Sequence, residues 1–355
     1  MFSAAVRLLA GVLFGVSGLT ASAAVAPAPR SPPSRPAPAA VPVIVAPLTL
    51  RKIGGLDYVS LADAARRLDL KLTTVERGRK ITLTGPATRA ELENDSREAT
   101  VNGLRVFLGD PIIDAGGQLF VSRIDFERCL TPLLRPGNGV PALARPKIIA
   151  LDPGHGGRDT GTSTKEKVHA LDVAQRAKKL LETAGFRVLL TREKDKYVDL
   201  AQRPAIANAN HADVFVSIHF NALARDTKTS GVEMFTFAPL SQRSAEAWSP
   251  AKKNDSEDVV SPGNRFDHWN MVLAQAIHRR FVTDLKTFDR GKKFAHWGVL
   301  RTLNCPGVLV ECGFLTSEIE ARKIATPAYR QQLAEAIAAG VRDYAGTVER
   351  ARPRT

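Results

Sequence analysis

Two histidines and a glutamate stand where their side chains could hold a metal ion together. His155 follows an apolar stretch, within the segment DPGHGG, whose glycines allow the chain to turn sharply. Glu166 comes eleven residues later, at the expected start of a helix, and His219 lies near the end of the apolar stretch VFVSIHF. Two imidazoles and one carboxylate, with a fourth position left for water, form a ligand set that catalytic zinc sites use. The three residues therefore predict a hydrolytic zinc centre.

A second glutamate, Glu311, ends another apolar stretch, VLVE. A carboxylate at the end of a buried strand is costly unless it has a partner or a chemical role. Beside a zinc ion, a glutamate can take a proton from the water that the metal activates and return it later. We therefore interpret Glu311 as the group that carries the proton.

Each of these residues also has an ordinary structural explanation. His155 could be a turn residue, Glu166 could serve the helix dipole, and His219 could be a satisfied core residue. The joint pattern favours a site, because the carboxyl ends of strands in an open sheet converge on one crevice.

The elements that would position these residues follow an alternation of strands and helices from about residue 147 onwards. Such alternation predicts an α/β domain, with a central mixed sheet flanked by helices, over residues 147–346. The expected strands are 147–151, 185–191, 214–219 and 307–311, and the expected helices are 168–183, 206–210, 269–285 and 329–344.

The rest of the chain divides by composition. Residues 1–23 read as a secretory signal peptide, with Arg7 before a short apolar run and a small-residue cleavage site, although an uncleaved anchor or a buried helix is the alternative. Residues 24–47 are a Pro/Ala-rich linker, and 48–135 are expected to form a small α+β domain with a binding, spacer or structural role. A second linker at 136–146 and a basic tail at 347–355 complete the prediction.

The second unit resembles the catalytic domain of the zinc-dependent N-acetylmuramoyl-L-alanine amidases of the amidase 3 type. The resemblance rests on spaced stretches that include LDPGHGGRDTG, LLTREKD, LAQRPAIANANHADVFVSIHFNA, GVEMF and GVLVECGFLTS. It implies that His155, Glu166 and His219 bind zinc and that Glu311 is the catalytic base. It also implies that the substrate is peptidoglycan, cut between N-acetylmuramic acid and the L-alanine of the stem peptide.

Two features depart from that family pattern. The loop between His155 and Glu166 is shorter than in many members, and residues 239–266 form a polar, charged insert. The insert could shape substrate access, cover the metal, or be a solvated loop.

Nearby, His296 is a candidate substrate contact before an expected WGVLR strand. Arg301 could hold substrate or form a salt bridge, whereas His169 is not expected to be a ligand.

The first unit resembles the N-terminal domain of copper amine oxidases. The resemblance rests on the repeated phrases YVSLADAARRL and FVSRIDFERCL and on an Asn-Gly hairpin signal at 102–103. No copper chemistry follows from it, because residues 48–135 contain no histidine.

Charge and cysteine content limit the partners. The net charge of +14 favours polyanions, but the basic residues are scattered without interleaved aromatic residues, so nucleic acid is not expected as a partner. We expect an exported monomer in the periplasm or cell envelope, with no membrane span after signal cleavage. We expect no structural disulfide among the three cysteines. An unidentified activator could be a further partner. The alternatives are a zinc-dependent wall peptidase and a non-catalytic peptidoglycan-binding protein.

Overall fold

The computed structural model describes residues 48–138, 140–162, 165–248 and 253–352. The predicted signal peptide, the first linker and the last residues of the basic tail lie outside this range. Contacts group Ala46–Thr355 as one compact unit, and the division into two domains at 136–146 remains a prediction. No helix in the described part of the chain combines the length and apolar character needed to span a membrane.

Strands and helices alternate over most of the described residues. The strands are β1 (Leu50–Ile53), β2 (Leu56–Ser60), β3 (Lys71–Val75), β4 (Lys80–Gly85), β5 (Thr88–Glu93), β6 (Glu98–Val101), β7 (Leu104–Phe107), β8 (Ile113–Asp114), β9 (Leu119–Ser122), β10 (Ile148–Pro153), β11 (Arg187–Leu190), β12 (Val214–Asn221), β13 (Val232–Phe237), β14 (Asp289–Ala295) and β15 (Gly307–Phe314). The helices are α1 (Leu61–Arg67), α2 (Arg123–Asp125), α3 (Thr131–Leu134), α4 (Glu166–Thr183), α5 (Gln202–Ala209), α6 (Asp267–Asp284), α7 (Gly298–Arg301), α8 (Glu318–Ile324) and α9 (Pro327–Arg350).

The main sheet places His219 and Glu311 on adjacent strands, beside the strand that His155 follows. Its order within the described residues is β11-β10-β12-β15-β13-β14-β7-β6-β5-β4-β3, and a smaller sheet has the order β1-β2-β9-β8. Strands β10, β12 and β15 are parallel neighbours, and β13 joins β15 antiparallel. The carboxyl ends of the three parallel strands therefore meet at one edge.

Alternate side chains of these strands enter different core layers, as the pleat of a strand requires. Ile149 and Val216 pack with helices α4, α6 and α9, whereas Phe215 and Leu309 pack on the opposite face with α5 and α7. The prediction of a mixed central sheet flanked by helices is thus confirmed. The three cysteines, Cys129, Cys305 and Cys312, are buried and free.

The N-terminal segment folds by signals that the sequence carries locally. Ser60 caps α1, because its hydroxyl accepts a hydrogen bond from the backbone N–H of Asp63 at 3.0 Å. Its strands also extend the main sheet, since β7 pairs with β14 through Val106 and Lys292. Backbone pairing therefore links this segment to the α/β part.

The structure differs from the expected local structure at several places. The expected WGVLR strand is the short helix α7, and His296 instead follows the unpredicted strand β14. Strand β13 was also missed. The final helix continues to Arg350, so residues 347–350 of the predicted tail are helical. Short apolar runs do not distinguish a strand from a buried helical turn by periodicity alone.

Asp267, the first residue of α6, makes folding stability depend on pH. Burial raises the pKa of this carboxyl to about 7, against a hydrogen bond from Asn264. Because the folded pKa exceeds the unfolded one, the stability contribution is present below about pH 4 and lost as the pH rises through about 7. In wild type, this group should lower the free energy of unfolding between pH 4 and pH 8. In Asp267→Asn that decrease should be smaller than in wild type by about 2–4 kcal/mol.

Denaturant unfolding of wild type and variant at both pH values measures this difference. Asp258→Asn, at an exposed position, is the matched control. An identical pH dependence in Asp267→Asn and wild type would contradict the prediction.

Candidate metal centre and active-site cavity

His155 lies in the turn that follows strand β10. Its φ of 58° is in the left-handed region, which turns the chain back so that the imidazole faces helix α4. The Nδ1 atom lies 2.9 Å from Oδ1 of Asp159, and Nε2 lies 3.1 Å from Oε1 of Glu166. A carboxylate at one ring nitrogen orients an imidazole and leaves the other nitrogen for a metal. Asp159 is therefore a positioning residue for His155.

Glu166 is the first residue of α4 and is 1% exposed. Its Oε2 accepts hydrogen bonds from the backbone N–H and hydroxyl of Thr162, at 2.7 and 2.8 Å. Its Oε1 lies between the two imidazoles, 3.2 Å from Nδ1 of His219. Burial alone would raise the pKa of Glu166, but hydrogen bonds and charge from His155 and His219 hold it well below its usual range.

Two glycines allow the three side chains to approach one another. A Cβ at Gly154 would lie 2.3 Å from Cε1 of His219, and one at Gly161 would lie 2.2 Å from Oε2 of Glu166. Neither position could carry a larger residue without moving a predicted ligand. Gly154 and Gly161 are therefore needed because a side chain at either position would displace a predicted ligand, and not only because glycine allows the chain to turn.

The candidate ligand atoms of His155, Glu166 and His219 all lie within 4.8 Å of one another. Two imidazole nitrogens and a carboxylate oxygen are donors that zinc accepts, and a protein that supplies three ligands leaves a coordination position for water or substrate. The structure thus brings the three predicted residues together. His169 stays outside the cluster, with its ring 6.0 Å from that of Phe220.

Glu311 lies in a row of functional side chains that crosses three strands. In the sheet it is in register with His219 on β12 and with Glu233 on β13. Its Oε2 is buried and has no hydrogen-bond partner among the described residues. Burial, together with the nearby carboxylates Glu166, Glu233 and Glu246, raises its pKa well above the usual range. A partnerless carboxyl group therefore lies beside the metal centre.

The sequence reasoning missed Glu233, the neighbour of Glu311. This buried carboxylate accepts hydrogen bonds from Asn221 at 2.9 Å, Arg290 at 2.9 Å and Lys293 at 2.6 Å. Glu233 therefore has two cationic partners, whereas Glu311 has none among the described residues. The sequence did contain a signal for Glu233. This glutamate interrupts the apolar run VEMFTF, in the same way that Glu311 ends the apolar run VLVE.

The sequence reasoning also missed a buried ion pair next to the candidate metal centre. Asp152 accepts hydrogen bonds from Arg203 at 2.8 Å and Ser217 at 2.7 Å, and also from Thr191. The other terminal nitrogen of Arg203 donates to the backbone carbonyl of His155 at 2.8 Å. Because the planar guanidinium contacts both groups at once, Arg203 fixes the His155 turn against strand β10.

The metal centre opens into a cavity of about 440 Å³. Leu200 and Trp297 are exposed apolar residues in its wall, and Glu246, from the insert at 239–266, also lines it. The insert therefore shapes the cavity with at least one described side chain.

His296 and Arg301 bind the insert. His296 Nδ1 lies 3.2 Å from the Ser244 hydroxyl, and Arg301 forms two hydrogen bonds with Glu257 at 2.6 and 2.5 Å. Arg301 is therefore in a salt bridge, one of its two predicted roles. Neither residue lines the cavity. His211 is exposed, and His278 is fully buried in helix α6.

The fold and the site define an α/β protein with a candidate His-Glu-His metal centre and a free carboxyl group beside it. Residues 149–343, more than half of the chain, match the model of the Amidase_3 family, described as N-acetylmuramoyl-L-alanine amidase. The chain belongs to this family.

Individual relatives match the same region. The chain is 31% identical over 246 residues to the N-acetylmuramoyl-L-alanine amidase AmiC of Escherichia coli O6:H1, covering 62% of this chain and 58% of AmiC. It is 31% identical over 221 residues to AmiA of E. coli K12, covering 56% of this chain and 76% of AmiA. The crystal structure of an N-acetylmuramoyl-L-alanine amidase from Clostridium difficile 630 is similar at 32% identity and a TM-score of 0.45, over 57% of this chain and 97% of the other. The chain thus spans less than two thirds of the length of AmiC.

Proposed function

We propose that this protein is a zinc-dependent N-acetylmuramoyl-L-alanine amidase that releases stem peptides from peptidoglycan. The observation that carries the proposal is the position of Glu311, whose unpartnered carboxyl oxygen lies beside the cluster of His155, Glu166 and His219. Family membership supports the choice of substrate.

His155, Glu166 and His219 would hold the zinc ion. When bound, zinc supplies a Lewis acid that polarises a carbonyl group and makes water acidic enough to react near neutral pH. The chain contributes a carboxylate kept charged by two imidazoles, and an Asp159 carboxylate that orients His155. Its cavity wall, with Leu200 and Trp297, excludes part of the solvent from the reacting groups.

Glu311 is assigned both proton transfers of the hydrolysis. As a base, it takes a proton from the attacking water while the new bond to the lactyl carbonyl carbon forms. As an acid, it gives that proton to the nitrogen of L-alanine while the C–N bond breaks.

Product analysis on purified peptidoglycan tests the proposal. Digestion should give intact stem peptides and peptide-free glycan, and a chelator should prevent both. Cleavage within the stem peptide would instead identify a wall peptidase. Binding to peptidoglycan without any cleavage, by a protein that contains zinc, would identify a non-catalytic binding protein.

Arg203→Lys is expected to weaken zinc binding by about 10–100-fold, the usual effect of losing a group that orients a ligand. Lysine keeps the positive charge near Asp152 but cannot contact Asp152 and the His155 carbonyl at the same time. Titration against a chromophoric chelator measures the zinc affinity. Arg187→Lys, at an exposed position on β11, is the control, and equal affinities in the two variants would refute the positioning role.

The cellular setting follows from the same proposal. An enzyme that acts on peptidoglycan works outside the cytoplasm, which agrees with the expected export to the periplasm or cell envelope. We further propose that the chain acts as a monomer and that any activator binds near the insert at 239–266, since Glu246 of that insert lines the cavity.

A further inference from the structure

A second cleft, of about 700 Å³, lies between the N-terminal segment and helices α6 and α9. Thr88 and Asn102 from the N-terminal strands and turn line one wall, and residues of the two helices line the other. None of its lining residues also lines the cavity at the metal centre. The cleft is therefore a separate feature of the molecule.

The helical wall of the cleft is strongly basic. Four arginines line it, against a single acidic residue, Asp343; they are Arg279, Arg280, Arg342 and Arg350. Asp343 is already engaged by Arg280, through hydrogen bonds of 2.8 and 3.0 Å. Among the described residues, no carboxylate forms an ion pair with Arg279 or Arg342. Arg279 and Arg342 are therefore exposed arginines of the cleft wall that have no carboxylate partner in the described part of the chain.

Buried polar atoms in the cleft also lack partners. Gln275 is 6% exposed and Thr88 is 9% exposed. Within the described ranges, neither Oε1 of Gln275 nor the hydroxyl of Thr88 has a hydrogen-bond partner. A buried, unsatisfied polar atom costs free energy unless a ligand or water completes it. Gln275 and Arg279 are four residues apart on α6, so they lie on the same face of the helix. An unpaired acceptor and an unpaired cation are thus neighbours.

We propose that this cleft is a second binding site for peptidoglycan, one that takes the free carboxylates of a stem peptide. Arg279 and Arg342 bind the carboxylates, and an N–H group of the peptide donates to Oε1 of Gln275. This assignment rests on the proposed function for the choice of polymer. The site would hold the protein on the wall while the metal centre acts on another peptide.

The combination of groups distinguishes a peptide from other anions. A guanidinium group matches a carboxylate or a phosphate in a two-point hydrogen bond. The unpaired amide oxygen, however, accepts only from an N–H or O–H donor, which an ionised phosphate group lacks. A peptide with free carboxylates supplies the anion and the donor on one short chain. Gly346, between Arg342 and Arg350 along α9, lets the Arg350 guanidinium lie close to the helix, since a Cβ there would be 3.3 Å from its terminal nitrogen.

Calorimetric binding of a synthetic stem peptide to the full-length, zinc-loaded protein tests the site. The double variant Arg279→Gln/Arg342→Gln should bind the peptide about tenfold or more weakly than wild type, because two charge-assisted contacts are lost. The control variant Arg187→Gln/Arg322→Gln removes the same charge at exposed positions outside the cleft and should bind as wild type does. The same peptide with its carboxylates converted to carboxamides should bind wild type as weakly as the normal peptide binds the double variant.

Equal affinities of the double variant and its control would overturn the proposal, as would tight binding of the carboxamide peptide. Stronger binding to inorganic phosphate or to phosphatidylglycerol vesicles than to the peptide would also overturn it. The peptide is synthetic, so its binding is measured whether or not the chain hydrolyses peptidoglycan. Hydrolysis without cleft binding would reject this site alone, and cleft binding without hydrolysis would reject the amidase assignment alone.

Discussion

Glu311→Gln is expected to abolish release of stem peptides from peptidoglycan while zinc remains bound. The amide keeps the size of the side chain but can neither accept the proton of the attacking water nor return it. General acid–base groups contribute about 10²–10⁴-fold to a rate, and Glu311 is assigned both proton transfers, so the loss should lie at or above the upper end of that range. Rates come from chromatography of released peptides, and zinc from elemental analysis.

The position of Glu311 makes this variant informative. Its Oε2 has no hydrogen-bond partner, so the substitution breaks no described contact of that atom and should leave the fold intact. Glu318→Gln, at an exposed position on α8, is the matched control and should retain activity. A Glu311→Gln protein that keeps substantial activity would remove Glu311 from the mechanism. Loss of zinc together with activity would make it a structural support of the metal centre.

Removing the metal is expected to have an effect of similar size. Treatment with a chelator, or His219→Ala, should lower the rate by about 10²–10⁴-fold, because Lewis-acid stabilisation is worth several kcal/mol. Zinc added back should restore the chelated wild type. It should not restore His219→Ala at the same concentration, since two ligands then remain. Peptide release and zinc content per chain are the two measurements.

His169→Ala is the control for this prediction. His169 is buried near Phe220 but lies outside the cluster of ligand atoms, so its loss should leave both zinc content and rate close to those of wild type. Full activity after exhaustive chelation would reject zinc catalysis. Zinc loss in His169→Ala equal to that in His219→Ala would show that the ligand set has been assigned incorrectly.

Much of the α/β part was predictable because its signals are local. Helices α4, α6 and α9 and strands β10, β12 and β15 all overlap the predicted segments, and the side chains that pack on each face of a strand alternate along it. The strands missed were β13 and β14. The apolar run of β13 is interrupted by Glu233, and β14 carries charged residues that are paired only in the folded chain, as Lys293 is with Glu233.

The sequence by itself determined which side chains could form the metal centre. His155, Glu166, His219 and Glu311 each follow or end an apolar run or begin a helix, and the ends of parallel strands meet at one sheet edge. Only the tertiary structure decided how their charges are arranged. Glu233 is compensated by Arg290 and Lys293, whereas the Oε2 of Glu311 has no hydrogen-bond partner in the part of the chain that the structure describes. Those contacts join residues about 60 positions apart in the sequence, so the local spacing of residues does not predict them. The free carboxyl group beside the metal centre is therefore a property of the folded chain.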